Sequence, residues 1–302
     1  MKIINKLKGN TRLALLLVFG VFLIGLVISI RWLSSGDGLS SGGAVAVVPL
    51  LGSIADEDQF IENLTTLKED DGVQAFIIEI ESPGGTVGAS QSIYEAIRDL
   101  RDGDERPVIA WMGDVAASGG YYAAMGADSV FALPGTITGS IGVLMEFPDA
   151  GELFSKVGLN WQVVKSGEFK DMGSLSRPLS DTDRKVLEVF ITDVYEQFVE
   201  VVAANRPLSI EEVRELADGR IYSGRQAKEL GLIDELSTLS AVISLTGVMA
   251  GLGSDPKVVR PQDPTVGLLD LLLGIAGLEA QGLVGSLLPI QRGTPRLLYE
   301  WR

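Results

Sequence analysis

Residues 75–85 read AFIIEIESPGG, an apolar run that ends in a turn of serine, proline and two glycines. A short apolar run rich in isoleucine and bounded by turn residues predicts a strand, here over Ala75–Ile80. An amphipathic helical pattern follows over Val87–Leu100, and the next apolar run covers Val108–Trp111. Strands that alternate with helices in this way predict a parallel sheet with crossover helices, and therefore an α/β fold.

The same alternation continues on both sides of this unit. We predict helices near Asp58–Lys68 and Ala150–Val157, and a long helix from Asp181 to about Asn205 that serves the core and interfaces rather than an active site. Ser209 and Glu212 have the spacing of an N-terminal capping box, so another helix should begin there. Further strands are predicted at Val45–Leu50, Ser129–Ala132, Gly142–Met145 and Trp161–Val164.

The chain of 302 residues contains no histidine and no cysteine. This composition excludes a Ser-His-Asp triad, a thiolate nucleophile, disulfides and zinc sites of the usual ligand type. Acid–base chemistry must therefore use Lys, Asp, Glu or Tyr, and we expect neither a metal nor a cofactor. Forty acidic against 25 basic residues give a net charge of −15, which argues against a nucleic-acid-binding surface.

Leu13–Ile30 is an uncharged apolar run that is long enough to cross a bilayer as a helix. Basic residues precede it from Lys2 to Arg12, so the positive-inside rule places the N-terminus in the cytoplasm and the remainder outside. The alternative is a cleaved secretory signal, but the run exceeds the usual signal core and no small-x-small site follows it. We therefore predict a single-pass protein of the cell membrane with an extracytoplasmic domain.

These patterns divide the chain into a cytoplasmic N-terminus, a transmembrane helix, a flexible Gly/Ser linker, a folded domain and a C-terminal segment. Their predicted bounds are residues 1–12, 13–30, 31–43, 44–255 and 256–302. The last segment contains the apolar run Val266–Pro289, which Asp270 and Glu279 interrupt. Charged residues make it a poor second span, so we expect amphipathic helices that contact a neighbouring subunit or the membrane surface.

Three glycine-rich junctions follow predicted strands, at the edge where open α/β sheets place their sites. Ser118 precedes a helical run, and a helix N-terminus favours developing negative charge. From position alone, however, an N-cap serine is the better interpretation. Gly84 and Gly85 could direct a backbone N–H into a cleft, or simply form a strand-to-helix turn. The junctions are SPGG at 82–85, ASGG at 117–120 and TGSIG at 138–142.

Lys170 lies in SGEFKD at residues 166–171, directly after a predicted strand. Without histidine, a serine nucleophile in this chain would need a lysine or a carboxylate to activate it. A lysine acts as a base near neutral pH only if burial or a neighbouring cation lowers its pKa from about 10.4. Because most lysines are exposed and have no catalytic role, position alone leaves the role of Lys170 open.

Taken together, several segments resemble the signal peptide peptidase A family of serine peptidases, in the same order over about two-thirds of the chain. The similarity is to the short, single-length form, in which each subunit can supply both Ser and Lys. The segments are ESPGG at 81–85, MGDVAASGGYY at 112–122, residues 133–145, KSGEFKD at 165–171, DGRIYSGRQA at 218–227 and GLIDE at 231–235.

This resemblance implies a Clp protease and crotonase type of fold, with Ser118 as nucleophile and Lys170 as general base. It also implies that backbone N–H groups of Gly85 and Gly119 bind the oxyanion and that Ser140 orients the lysine. The implied substrates are remnant signal peptides and other extended apolar peptides. Members of the family form ring-like homo-oligomers, so a second copy of the chain is an expected partner.

Three alternatives remain open on the sequence. A related membrane Ser-Lys protease could act on stomatin-like membrane proteins, and the segment 218–227 argues against it only modestly. An acyl-CoA enzyme of the crotonase group would leave the N-terminal apolar run and the Ser118/Lys170 pair unexplained. A non-catalytic membrane scaffold could retain the same fold.

Overall fold

The structure is a computed structural model that describes residues 43–261 and 298–300. Its strands are β1 (Ala44–Leu51), β2 (Val73–Ser82), β3 (Gly84–Thr86), β4 (Val108–Ala117), β5 (Ser129–Ala132), β6 (Ile137–Gly139), β7 (Ile221–Ser223), β8 (Glu235–Leu236), β9 (Lys257–Val259) and β10 (Leu298–Glu300). Its helices are α1 (Asp58–Lys68), α2 (Val87–Gly103), α3 (Gly119–Ala124), α4 (Gly151–Lys156), α5 (Asp181–Asn205), α6 (Ile210–Leu216), α7 (Gly224–Glu229) and α8 (Leu239–Met249). A 3₁₀ turn covers Glu168–Asp171.

Most of the strands belong to one sheet with the order β7-β6-β4-β2-β1-β9, in which β5 pairs with β4 and β8 pairs with β5. The pairing is parallel except between β6 and β7. In the centre, Val45–Leu51 aligns with Ala75–Glu81. Both strands are almost continuously apolar because helices cover the two faces of the sheet, as is usual for parallel sheets.

The core lies on both sides of this sheet. On one face the buried residues include Phe60 of α1, Ile93 of α2, Tyr121 of α3 and Phe198 of α5. On the other face Val242 of α8 belongs to a smaller buried cluster, which is formed mainly by residues of β1, β2 and β4. With both faces covered, the carboxyl ends of β2, β4 and β6 are held side by side, and the junctions that follow them meet at one edge.

The predicted α/β fold with crossover helices is confirmed, but two predicted strands are wrong. Gly142–Met145 and Trp161–Val164 form no strand. All four residues of the second segment are exposed, so their apolar character does not reflect burial within this subunit. The strand beside β4 is instead Ile137–Gly139, which is too short to produce a recognisable apolar run.

Several expectations lie outside the described residues, namely the apolar runs Leu13–Ile30 and Val266–Pro289 and most of the predicted linker. In the part of the chain that the structure describes, no helix combines the length and the apolar character needed to cross a bilayer. At the other end of the domain, Lys257–Val259 pairs with Ala44–Ala46. The sheet thus continues a few residues past the predicted domain end at residue 255.

Candidate active site

Ser118 stands at a sharp turn between β4 and α3. Its backbone angles are φ 53° and ψ −117°, in the positive-φ region that favours glycine, and such a conformation costs on the order of 1–3 kcal/mol. The turn is held by its N–H, which donates to the Gly139 carbonyl at the end of β6 over 2.8 Å. A serine on a strained strand-to-helix turn is the arrangement by which α/β hydrolases present a nucleophile.

The N-cap interpretation of Ser118 is only half correct. The residue occupies the N-cap position of α3, but its side chain makes no capping hydrogen bond in the described structure. The first bond of the helix runs from the Tyr122 N–H to the Ser118 carbonyl over 2.8 Å. The N–H groups of Gly119 and Gly120 precede this bond and lie at the positive end of the helix, where they can bind an anion.

Gly85 lies in β3, which packs against α3. The Thr86 N–H donates to the Ile54 carbonyl, and the Ile54 N–H donates to the Gly84 carbonyl, each over 2.8 Å. Because successive backbone groups of a strand point to opposite sides, the Gly85 N–H points away from Ile54. A Cβ on Gly85 would lie 2.0 Å from the Ile54 carbonyl oxygen, so only glycine fits this position.

The side of β3 that faces away from Ile54 pairs with a second strand of the same chain. Leu298–Glu300 pairs with it in the antiparallel direction, and Tyr299 stands opposite Gly85. This strand also contacts α3, the helix that begins directly after Ser118. The backbone of Gly84–Thr86 thus pairs with an extended segment beside the candidate nucleophile.

Ser140 lies beside Ser118. The two serines directly follow β4 and β6, and these strands are paired up to Ala117 and Gly139. Ser140 also has a positive φ, 51°, and its N–H donates to the Arg220 carbonyl over 2.8 Å. Both serines line one cavity of about 380 Å³. The other residues that line it are Gly142, Val143, Leu144, Ile191, Thr192, Tyr195, Ala217, Asp218 and Gly219.

The cavity contains no suitable base of its own among the described residues. Hydrogen bonds from Arg220 lower the pKa of Asp218 to about 2, so this carboxylate is a very weak base. Burial raises the pKa of Tyr195, so its phenol stays protonated near neutral pH. Any proton acceptor for Ser118 must therefore reach the cavity from elsewhere.

Lys170 is exposed on the 3₁₀ turn Glu168–Asp171 and does not line the cavity that contains Ser118. The structure of the single chain thus brings Ser118 together with Ser140, and places β3 with Gly85 against α3, but leaves Lys170 apart from them. The residues before Lys170 expose an unusual number of large apolar side chains, and we call residues 153–169 the apolar arm. Those side chains are Leu153, Val157, Leu159, Trp161, Val163, Val164 and Phe169.

Sequence reasoning missed one wall of the cavity. Ile191, Thr192 and Tyr195 of α5 line it, although the pattern of that helix indicated only core and interface contacts. Thr192 and Tyr195 interrupt the apolar spacing with polar groups, and this is the signal that could have identified them. Asp218 and Gly219 come from the turn before β7, another three-residue strand that no apolar run indicates.

Two family models match this chain. The model of peptidase family S49 matches residues 101–252, which include Ser118, Ser140 and Lys170, and the Clp protease model matches residues 46–138. The Clp match agrees with the α/β fold and its mostly parallel sheet. The two matches together cover both the strand edge with Gly85 and the segment that contains Lys170.

Individual relatives show the same similarity. A Synechocystis protein named as a protease is 41% identical over 70% of this chain and 76% of its own length. An Enterococcus faecium protein named as a signal peptide peptidase SppA is 36% identical over 74% of this chain and 64% of its own length. The chloroplastic serine protease SPPA of Arabidopsis thaliana is 35% identical over 78% of this chain, which spans only 36% of that longer protein.

Proposed function

The chain belongs to peptidase family S49 and is a serine peptidase, and on this premise we propose that it is a membrane-anchored endopeptidase with a Ser118–Lys170 dyad. The observation that carries the proposal is the strained turn at Ser118, whose cavity contains no suitable base of its own among the described residues. Lys170 is the residue that the resemblance to signal peptide peptidase A assigns to this role. No histidine is present to replace it.

The reaction proceeds by acyl transfer. Neutral Lys170 accepts the proton of the Ser118 hydroxyl while Oγ attacks the peptide carbonyl carbon, and the new oxyanion is bound by the N–H groups of Gly85 and Gly119. When the intermediate collapses, the C–N bond breaks and the lysine ammonium returns its proton to the leaving amine. Water then attacks the acyl-enzyme with Lys170 again as base, and this releases the acid product and restores Ser118.

Ser140 is suited to orient the lysine. It follows β6 directly beside Ser118, and both serines line the same cavity. A neutral lysine that enters this cavity would donate an N–H to the Ser140 hydroxyl and accept from the Ser118 hydroxyl, which would fix the direction of its lone pair.

Association of several copies would bury Lys170. In the single chain this lysine is exposed on its 3₁₀ turn and does not line the cavity that contains Ser118. The apolar arm that precedes it presents a patch of the kind that marks protein–protein interfaces. We propose that a neighbouring copy covers the arm, and that the homo-oligomer formed in this way desolvates Lys170 and brings it to Ser118.

The substrates that fit this site are extended apolar peptides. On the side away from Ile54, Gly84–Thr86 pairs with the antiparallel strand Leu298–Glu300 of the same chain. A substrate that takes the place of this strand would bind in the extended form that many peptide-binding proteins use. Val143, Leu144 and Ile191 give the cavity next to Ser118 an apolar wall. Remnant signal peptides have this chemistry, and the relative from E. faecium carries the name of a signal peptide peptidase.

The apolar run Leu13–Ile30 supports the membrane part of the proposal. With basic residues on its N-terminal side, a helix over this run would place the peptidase domain outside the cytoplasm. Released signal peptides lie in the same membrane, so the anchor would keep the enzyme beside its substrates.

The test is to replace Ser118 and Lys170 separately by alanine in the full-length chain and to assay cleavage of casein and of a synthetic signal peptide. We expect each variant to lose activity by about 10⁴-fold or more, as other serine peptidases do without nucleophile or base. A fluorophosphonate probe should label the wild type but not S118A. Full activity in either variant, or labelling that persists in S118A, would refute the dyad.

A further inference from the structure

Four charged side chains hold the turn that carries Lys170, and we call them the clasp: Lys165, Asp171, Arg177 and Asp183. Asp171 Oδ1 accepts from Lys165 Nζ and from Arg177 Nη2, each at 2.7 Å. Arg177 Nη1 donates to Asp183 Oδ2 at 2.5 Å. Lys165 Nζ also donates to the backbone carbonyl of Glu168 at 2.7 Å, so both ends of the 3₁₀ turn are tied to the same cluster.

The clasp connects this turn to the helix that lines the cavity. Asp183 lies in the first turn of α5, and its Oδ2 accepts from the Ser180 N–H at 3.0 Å as part of a capping box. Farther along the same helix, Ile191 and Tyr195 form a wall of the cavity with Ser118. A rigid helix thus runs from the wall of the cavity to the anchor of the Lys170 turn.

The clasp differs from an ordinary surface ion pair. The side chain of Asp183 is only 3% exposed, and Arg177 Nε is buried with no hydrogen-bond partner among the described residues. A buried charge and an unpaired buried donor each cost free energy, and apolar side chains of similar volume are often at least as stable. If the clasp only stabilised the fold, apolar side chains could replace it. The fixed arrangement of its four charged side chains therefore needs another explanation.

We propose that Asp171, gripped by Arg177 and Lys165, is a positioning residue that fixes the direction in which the neighbouring Lys170 leaves its turn. This inference rests on the proposed function, because Asp171 can have a positioning role only if Lys170 is the general base. Asp171 touches neither the substrate nor the reacting atoms and acts through Lys170.

The clasp also balances charge beside the base. A lone carboxylate at position 171 would stabilise the ammonium form of Lys170 and oppose its action as a base. Arg177 and Lys165 offset that effect. The charged side chains joined by these hydrogen bonds are Lys165, Asp171, Arg177 and Asp183, and Glu168 takes part through its backbone carbonyl. Removal of Asp171 or of Arg177 would therefore move the balance in opposite directions.

The test compares three variants of the full-length protein by the pH dependence of kcat and KM on a synthetic signal peptide. D171N removes the charge of Asp171 and weakens its grip on Arg177 and Lys165 while it leaves the Arg177–Asp183 pair in place. R177K keeps the positive charge but cannot reach both carboxylates as the guanidinium does. R98K is the matched control, since Arg98 also bonds two carboxylates, Glu95 and Asp99, on the exposed face of α2.

We expect D171N to lower the plateau value of kcat by about 10–100-fold, the size of effect that a small misplacement of a catalytic group produces. KM should change by less than about threefold, because the substrate contacts remain. In D171N the acidic limb of the kcat–pH profile should shift to lower pH, because no carboxylate at position 171 offsets the charges of Arg177 and Lys165. In R177K the limb should stay in place, because the positive charge is retained, although kcat falls. R98K should match the wild type in both respects.

The outcomes separate this inference from the proposed function. If K170A is inactive but D171N has the wild-type kcat at its plateau, the positioning role is refuted and the dyad stands. A fall in kcat with the acidic limb of D171N unmoved would show that Asp171 serves only the fold, and would also refute the inference. Full activity in K170A would refute both the dyad and the clasp. Thermal unfolding of each variant shows that a loss of kcat does not reflect an unfolded chain.

Discussion

At the scale of single residues, the backbone of Ser118 has the most direct consequence. A side chain with a Cβ is strained at its φ of 53°, whereas glycine is not. We expect S118G to be more stable than S118A by about 1 kcal/mol in urea unfolding, because alanine keeps the strain that glycine removes. Both variants lack the hydroxyl and should be inactive. Equal stability of the pair would contradict a strained turn.

The ionisation of Asp171 sets a second expectation. Hydrogen bonds from Arg177 and then from Lys165 hold the pKa of Asp171 well below its usual range. A carboxylate with a lowered pKa adds stability that is present above its ordinary pKa of about 3.9 and is lost as the pH falls through the lowered value. D171N should therefore melt below the wild type at neutral pH.

The measurement is thermal unfolding of both proteins over a series of pH values. The gap in melting temperature between wild type and D171N should narrow as the pH falls below about 4, because Asp171 of the unfolded chain then takes up a proton while Asp171 of the folded chain is still ionised. A gap that stays constant down to the most acidic condition would mean that the clasp stabilises the fold through packing and not through charge.

The residues of the candidate site were predictable to different degrees. Ser118, Gly85 and Ser140 follow strands of a parallel sheet, and the carboxyl ends of such strands meet at one edge, so their positions follow from the pattern. The backbone strain at Ser118 has no signal in the sequence, because it depends on the register between β4 and β6. The closeness of Lys170 to Ser118 stays a prediction, since the exposed turn of Lys170 belongs to no strand end.

At the scale of elements, β3 is the part that tolerates least change. A Cβ at Gly85 would enter the Ile54 carbonyl, so G85A must push β3 away from the loop that contains Ile54. We expect a loss of about 1–3 kcal/mol in the free energy of unfolding, typical of overpacking, together with a loss of peptidase activity.

Gly88 provides the matched control, three residues along the chain. A Cβ at Gly88 meets nothing within 4 Å, and the residue lies in the first turn of α2. G88A should leave activity unchanged and stabilise the protein by up to about 1 kcal/mol, through the lower backbone entropy of alanine in the unfolded chain. Urea unfolding of the two variants in parallel measures the contrast, and a mild effect of G85A would contradict the tight packing.

The long elements were predicted well and the short ones were not. The long elements β1, β2 and α5 bury side chains along most of their length, so each has a long pattern of apolar residues in the sequence. β3, β6 and β7 contain three residues each, and their position depends on pairing partners that are distant in the chain. The apolar segment Trp161–Val164 produced a false strand because its side chains face outwards, where only a partner could bury them.

At the scale of the whole molecule, the separation of Lys170 from the cavity of its own chain predicts a shared site. If Lys170 serves the Ser118 of a neighbouring copy, oligomers made from S118A and K170A subunits contain some complete sites. We expect an equal mixture, assembled by co-expression, to recover about a quarter of the wild-type activity by chance pairing of intact residues. Complete inactivity of verified mixed oligomers would contradict a shared site.

The apolar arm should control assembly. Val164 is fully exposed in the single chain, so V164S should leave the stability of the subunit unchanged while it weakens contact with a neighbour. We expect the variant to shift from oligomer to monomer in light scattering and to lose activity in parallel. Val189 on α5 is also exposed but lies off the arm, and V189S should retain the wild-type mass and activity.

The exposed position of Lys170 also determines when a newly made chain becomes active. Under the proposed mechanism, a newly synthesised chain is catalytically inactive, because Lys170 reaches Ser118 only when other copies arrive. The rate of hydrolysis then rises more steeply than the protein concentration. Below the concentration at which the oligomer forms, a tenfold dilution lowers the rate by more than tenfold. A high local concentration of the chain would then act as the trigger.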